Sequence, residues 1–283
     1  MNFLNQLPKQ PPYNQAKAVI LPIPYGGQAA ADLRLADGPA VILQASHLLS
    51  PYDVETNTDS GELGIHTVEP LILPPSPQQA VEELANQATP HFKKGKLVAG
   101  LGGSHLISLG LVRAALEQHN NLSVLHLGAQ PHMAASEGDE VSDANVLTKI
   151  KEKCAVSHLG IRSMTKAEKG KIHLDNLVFA RDIHNNGLNA AADVIDFLND
   201  KVYVVIHLDV LDPACMPAVE RPEPGGLDWY AVNALIRMIT REKTIVGFDI
   251  SGLVPQHKGS HAHLLAAKLL GKTIIYTMQN TLR

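Results

Sequence analysis

Short, almost wholly apolar runs alternate along the chain with longer amphipathic stretches, and this alternation constrains the fold more than any other feature. The runs lack the polar alternation of a strand with one solvent-exposed face, so they are typical of parallel strands that helices cover on both sides. The predicted strands are residues 18–23, 66–73, 96–101, 122–127, 155–161, 177–180, 202–210, 244–250 and 273–278. The pattern predicts an α/β fold with a mostly parallel sheet of about eight strands.

The amphipathic stretches between these runs predict the helices. Their ends carry local signals, such as Pro77 behind the cap residue Ser76 and Gly95 just past the last helical turn. The predicted helices cover residues 38–49, 76–94, 105–118, 143–153, 186–198, 228–240 and 260–270.

The composition sets the class of protein. Hydrophobic residues make up 45% of the chain and charged residues 18%, so it can bury a large core. We predict one domain over residues 1–283, with residues 1–16 as an N-terminal arm. A net charge of -4 without a basic stripe argues against nucleic acid, and no apolar run is long enough to span a membrane. Two cysteines and an N-terminus without a signal sequence predict a cytoplasmic protein.

Polar residues follow three of the predicted strands, in segments 102–105, 128–132 and 207–213. Parallel sheets bind ligands beyond the carboxyl ends of their strands, so these segments are the place to look for chemistry. In the last of them, His207 and Asp209 share one face of a strand by the two-residue period.

The same segments carry a family resemblance. The chain resembles the ureohydrolase superfamily of arginase, agmatinase and formimidoylglutamase nearly from end to end. The matching motifs are AVILPIPY, DGPAVI, GGSH, GAQPH, LGIRS, HLDVLDP followed by PEPGGL, and VGFDISGLVP. The resemblance implies a three-layer α/β/α fold with an eight-stranded parallel sheet (arginase-like), and a homo-oligomer that is a trimer or hexamer.

The metal ligands that the resemblance implies are largely replaced. The family holds two manganese ions with two histidines and four aspartates, of which His105 and Asp209 are retained. Gly128 and His207 stand at the two bridging aspartates. Gln130 stands at the second histidine, and His132 stands at the remaining aspartate. Two divalent ions would face a single carboxylate and repel each other strongly, so we predict that no binuclear manganese cluster forms.

The substrate side of the family site is altered as well. Gly252 stands where the family places the glutamate that pairs with a guanidinium, and Asp143, after Ser142, stands where it commonly has a histidine. These losses predict a pseudoenzyme without arginase or agmatinase activity that keeps a pocket for a small-molecule ligand. Residues assigned to that pocket are Gln130, Ser142, Asp143 and His257.

The alternative hypothesis is a mononuclear metal hydrolase of a small, non-peptide C–N bond. His105, His132 and His207 occupy positions around one of the two family metals, with Asp209 beside them. Three imidazoles suit one zinc or nickel ion, whose bound water is a hydrolytic nucleophile. Asp209 and Asp143 would then be the catalytic carboxylates. A metal-free polar pocket and an active agmatinase-type enzyme are the other two hypotheses.

Overall fold

The computed structural model describes residues 1–4, 10–27, 33–135, 138, 140–257 and 259–281. In this part of the chain, eight strands form one parallel sheet in the order β4-β1-β5-β10-β9-β6-β7-β8. The strands are β1 (Ala18–Ile23), β4 (Ile65–Thr67), β5 (Leu97–Gly102), β6 (Leu122–Leu127), β7 (Ala155–Ile161), β8 (Leu177–Phe179), β9 (Lys201–His207) and β10 (Thr244–Ser251). The predicted α/β fold with a mostly parallel sheet is confirmed.

Helices cover both faces of the sheet and make it the middle of three layers. Their bounds are α1 (Gly38–Ser46), α2 (Pro77–Lys93), α3 (Ile107–Leu116), α4 (Val146–Lys151), α5 (Lys166–Lys169), α6 (Ala180–Asn186), α7 (Ala192–Asp196), α8 (Trp229–Glu242) and α9 (His261–Thr281). The buried side chains of α2, α3 and α4 form one hydrophobic core, and those of α1, α8 and α9 belong to a second. Each face of the sheet therefore buries its own apolar layer, as nearly continuous apolar strands require.

The predicted strand 202–210 is wrong at its carboxyl end. β9 stops at His207, and Leu208–Val210 form a single 3₁₀ turn. The carbonyls of Asp209 and Leu211 accept hydrogen bonds from the guanidinium of Arg162, so they do not continue the ladder. The turn keeps the side chains of His207 and Asp209 together by a different geometry from the predicted pleat.

The predicted strand 273–278 is also wrong, because these residues lie inside helix α9. Thr273 Oγ1 donates to the carbonyl of Leu269, and Thr277 Oγ1 donates to that of Thr273, each at 2.8 Å. These bonds satisfy both hydroxyls within the helix, while α1 and α8 pack against its apolar sides. A helix that is buried on nearly every side loses the amphipathic period, and its sequence then resembles a buried strand.

A short antiparallel pair, β2 (Tyr52–Asp53) with β3 (Thr58–Asp59), has no counterpart among the predicted elements. It packs beside α9 through Lys272, whose ammonium lies 2.8 Å from the buried carboxylate of Asp53 and also contacts Glu55. None of the described helices has the length and apolar character needed to cross a bilayer.

Candidate functional site

Three histidines meet at the carboxyl edge of the central strands. His105 follows β5, His132 lies in the loop after β6, and His207 is the last residue of β9. Their ring nitrogens include three atoms that all lie within 4.8 Å of one another. Since β5, β10, β9 and β6 are neighbours in the sheet, their carboxyl ends bring these side chains together.

Backbone geometry at His132 points its ring into this cluster. The residue has φ +49°, a left-handed conformation that is uncommon for a residue with a side chain. Nδ1 lies 3.0 Å from the backbone carbonyl of Asp143 and donates its proton to it. Nε2 is then the lone-pair nitrogen, and it is buried without a protein partner among the described residues. Burial lowers the pKa of His132, which favours the neutral, ligating form.

A carboxylate orients His207 from behind. Asp209 is 3% exposed, and its Oδ1 lies 2.8 Å from His207 Nδ1 while it accepts from the backbone N–H of Ala129 at 2.9 Å. Burial by itself lowers the pKa of His207, but the charge of Asp209 outweighs it and the net shift is upward. Burial likewise opposes ionisation of Asp209, while the positive charge on His207 holds the pKa of that carboxyl below its usual value. His207 therefore presents Nε2 as its ligand nitrogen.

His105 is the most enclosed of the three. Its side chain is 2% exposed, and neither ring nitrogen has a partner in the described part of the chain. Its ring centroid lies 4.3 Å from that of His132 and 5.1 Å from that of His207. Burial, followed by the neighbouring imidazoles, lowers the pKa of His105 well below its usual value. Buried nitrogens without partners are costly, and a bound metal ion is the partner that satisfies several neutral imidazoles at once. The donor set fits such an ion.

The ring of His207 lies where a side chain at position 252 would begin. A Cβ at position 252 would lie 2.5 Å from His207 Nε2, closer than real Cβ atoms come to any neighbour. The backbone there has φ +89°, which also favours glycine. A side chain at 252 and an imidazole at 207 thus exclude each other. The imidazole of His207 can occupy its place only because residue 252 has no side chain.

The ring of another histidine, His126 of β6, likewise lies where a side chain at Gly128 would begin. A Cβ at 128 would lie 2.5 Å from both Cε1 and Nε2 of the His126 ring. His126 is fully buried, its Nδ1 lies 3.2 Å from Nδ1 of His158, and its Nε2 has no protein partner among described residues. Burial lowers the pKa of His126 well below its usual value, so its ring is neutral. The sequence analysis did not place this residue in the site, although it lies two residues before Gly128 on the same strand face.

Asp143 supports the site from the loop after β6. Its Oδ1 accepts from Ser104 Oγ at 2.7 Å and from the backbone N–H of Leu106 at 3.0 Å, which fixes the segment that carries His105. Its carbonyl holds His132, as described above. Ser142 begins a capping box whose partner is Asn145. The carboxylate of Asp143 is therefore engaged with protein donors.

Gln130 and His257 are the two remaining predicted pocket residues. Gln130 Oε1 lies 3.5 Å from Nη1 of Arg221. His257 is exposed in the loop before α9, and it is not among the three histidines whose ring nitrogens converge.

Arg162, at the end of β7, organises the loop behind the site. Its guanidinium donates to the backbone carbonyls of Asp209 and Glu223, each at 2.7 Å, and to that of Pro224 at 3.1 Å. The positions of Asp209 and of the loop up to Pro224 therefore depend on one side chain. Arg162 belongs to the LGIRS motif, and its hydrogen bonds to these carbonyls are visible only in the structure.

Comparison with known proteins decides the family. Residues 16–276 match the sequence profile described as the Arginase family. The chain belongs to the Arginase family. It is 32% identical over 270 residues to an N(1)-aminopropylagmatine ureohydrolase of Thermus thermophilus and 30% identical over 275 residues to one of Synechocystis, each covering 93% of this chain and 90% of the relative. The crystal structure of agmatine ureohydrolase of Thermoplasma volcanium superposes with a TM-score of 0.87 at 24% identity, covering 98% of this chain and 94% of that one.

These relatives overturn one expectation. The altered ligands predicted a pseudoenzyme without ureohydrolase-type activity, and this prediction is wrong. Proteins that are 30–32% identical over 93% of the chain are named as ureohydrolases, which indicates an enzyme. In the structure, the ring of His207 fills the space beside Gly252, and the ring of His126 fills the space beside Gly128.

Proposed function

We propose that this protein is a metal-dependent ureohydrolase that hydrolyses a C–N bond of a guanidino compound at a single divalent ion. The observation that carries the proposal is the convergence of His105, His132 and His207 at the carboxyl edge of an arginase-family sheet. The names of the relatives supply the reaction class.

The donor set favours zinc or nickel over manganese. Imidazole nitrogens are borderline ligands that suit zinc, nickel and copper, whereas manganese prefers carboxylate oxygens. Asp209, the carboxylate closest to the three rings, is already bonded to His207 and Ala129. We therefore expect one ion per chain and no binuclear manganese pair.

Each surrounding residue has a positioning role in this proposal. Asp209 holds the ring of His207 through Nδ1, and the carbonyl of Asp143 holds the ring of His132 in the same way. Carboxylate or carbonyl partners of this kind fix the tautomer of a ligating histidine and raise its basicity. When bound, a divalent ion supplies Lewis-acid activation of water and of the substrate's C–N carbon. We therefore assign positioning roles to Asp209 and Asp143, because Oδ1 of each carboxylate is held by protein donors.

Recognition of the substrate must differ from that in the family, because position 252 carries no carboxylate. Glu220 is close enough to His207 for its charge to raise the pKa of that residue. Gln130, Ser142 and His257 lie on the loops around the same edge. We propose that these loops, rather than residue 252, orient the guanidino group.

The test is metal content together with urea release. Tag-free protein, reconstituted separately with zinc, nickel or manganese, is analysed for metal and then assayed with a panel of linear guanidino compounds. We expect about one zinc or nickel per chain and urea release with at least one compound. The double variant His105→Ala/His207→Ala should lose both.

The control is His119→Asn, which changes a histidine bonded to Lys201 at the opposite end of the strands. It should keep metal and activity. Wild-type protein without bound zinc or nickel, or metal retained in the double variant, would contradict the proposal.

The proposal also covers the oligomeric state and the cellular location of the enzyme. A trimer or hexamer follows from the family, and a cytoplasmic location agrees with the two free cysteines, Cys154 and Cys215. Mass measurement of the native protein in solution tests the assembly.

A further inference from the structure

His126 is a buried histidine that the proposed three-histidine set does not include. It lies on β6, two residues before Gly128, and its ring centroid is 5.3 Å from that of His105 and 6.0 Å from that of His132. The group of nitrogens that lie within 4.8 Å of one another does not contain it. Its ring therefore borders the cluster without belonging to the converging set.

The orientation of the ring is fixed from both ends. On one side, Nδ1 of His126 lies 3.2 Å from Nδ1 of His158. On the other side, the Cε1–Nε2 edge fills the space where a side chain at Gly128 would begin, and that same space is 3.4 Å from Oδ1 of Asp209. Nε2 is buried and has no protein partner in the described residues. Its edge thus faces the volume beside Asp209, at the carboxyl end of β6.

We propose that His126 is a fourth imidazole of the site, and that its Nε2 hydrogen-bonds the small ligand held between the other three rings. This inference rests on the proposed function. A buried nitrogen that faces a ligand-binding volume and lacks a protein partner needs a ligand atom to satisfy it. The absence of a side chain at Gly128 is what gives the nitrogen its access.

The experiment uses Co²⁺ as the metal and azide as the ligand, with visible absorption and calorimetry as the readouts. His126→Asn keeps an amide close to the position of Nδ1 and removes Nε2, whereas His126→Gln returns an amide close to the position of Nε2. We expect all three proteins to bind Co²⁺ within about threefold of one another. Azide should bind about tenfold more weakly to the Asn variant, because a hydrogen bond to a charged group is lost. The Gln variant should recover part of that loss.

Gly128→Ala gives a second, independent test that keeps the imidazole. The new Cβ would displace the Nε2 edge of His126, so azide binding should weaken as in His126→Asn. His119→Asn is the matched control and should bind azide like the wild type.

Each contrary result is informative. Equal azide affinity in the wild type and His126→Asn would overturn this inference alone. A hundredfold loss of Co²⁺ affinity in His126→Asn with an altered spectrum would overturn it too, since His126 would then be a metal ligand. A wild-type protein that binds no Co²⁺ would overturn both this inference and the proposed function.

Discussion

At the scale of single residues, the site is defined as much by missing side chains as by those present. His207 and His126 each occupy space that a glycine leaves open, at Gly252 and Gly128. An imidazole ring needs this space, because a Cβ at either glycine would lie 2.5 Å from a ring atom. A substitution at either glycine should therefore disturb the cluster of histidines before it disturbs the hydrophobic core.

The first prediction concerns Gly252→Ala. The added Cβ would lie 2.5 Å from His207 Nε2, so the ring must leave its place beside Asp209. We expect zinc affinity to fall by at least about tenfold, the lower end of what displaced ligand geometry costs. The measurement is calorimetric titration of metal-free protein with zinc.

Gly259→Ala is the matched control for that variant. Its backbone is also left-handed, with φ +85°, but no neighbouring atom lies within 4 Å of its added Cβ. Both variants carry the same backbone cost, of the order of 1 kcal/mol, and only Gly252→Ala disturbs His207. Similar zinc affinities in the two variants would contradict the steric argument.

Part of this site could be predicted from the sequence. The polar segments at the ends of three strands located the site, because parallel strands gather their carboxyl ends at one edge, and the family resemblance assigned His105, His132 and His207 to it. The role proposed for His126 could not be deduced from the sequence, since it depends on the space that the missing side chain of Gly128, two residues later, leaves for the ring. The same holds for Gly252. From the sequence it was interpreted only as a missing carboxylate, whereas the structure shows that the ring of His207 occupies the space beside it.

At the scale of elements, strand ends and the loops behind them decide the geometry. β9 ends at His207, and a 3₁₀ turn then carries Asp209 back toward the ring it orients. The sequence pattern predicted a longer strand, because Leu208, Val210 and Leu211 are as apolar as the strand itself. The carbonyls beyond His207 instead accept hydrogen bonds from Arg162, just past the end of β7, and no local sequence pattern encodes that.

Contacts that are distant in the sequence also explain why one predicted strand is a helix. Residues 273–278 are rich in β-branched and apolar side chains, which favour a strand in isolation. Their neighbours along the chain continue a helix that is buried between α1 and α8, and tertiary packing overrides the local preference.

The second prediction is that Arg162→Lys destabilises the loop behind the site. An ammonium cannot satisfy the carbonyls of Asp209, Glu223 and Pro224 together, because it lacks the fixed fork of a guanidinium. Two of these hydrogen bonds are partly buried and the one to Pro224 is exposed, so we expect a loss of about 2 kcal/mol in the free energy of unfolding, in the range for hydrogen bonds to a charged group. Urea denaturation of the metal-free protein measures it.

Arg181→Lys serves as the control, since Arg181 is 78% exposed and lies 3.5 Å from Asp182. It should change the free energy of unfolding by less than about 0.5 kcal/mol. If Arg162→Lys is equally neutral, the loop does not depend on the guanidinium.

At the scale of the whole molecule, the chain buries neutral histidines both in the site and away from it. Burial, with His132 and Lys151 nearby, lowers the pKa of His158 to about 3. At the far end of the sheet, burial and the charges of Lys94 and Lys96 lower the pKa of His91 to about 4. His105 and His126 are shifted in the same direction. Below the usual pKa of histidine, the native state therefore binds fewer protons than the unfolded chain does.

The third prediction follows from this difference in proton uptake. A histidine whose pKa is lowered on folding costs no stability above its unfolded value of 6.5. As the pH falls below 6.5, the unfolded chain gains the proton first, so the native state loses stability until the folded pKa is reached. Each such histidine adds up to about 1.4 kcal/mol of lost stability per pH unit. Metal-free protein should thus become steeply less stable between pH 6.5 and pH 4, as urea denaturation at several pH values would show.

Two substitutions test this prediction. His158→Gln and His91→Gln should each reduce the change in the free energy of unfolding with pH, by up to the contribution of one histidine. Comparing these two variants distinguishes a histidine next to the site from one away from it, because of the two only His158 contacts the imidazoles of the site, through His126. A pH dependence that neither substitution changes would contradict the contribution assigned to His158 and His91.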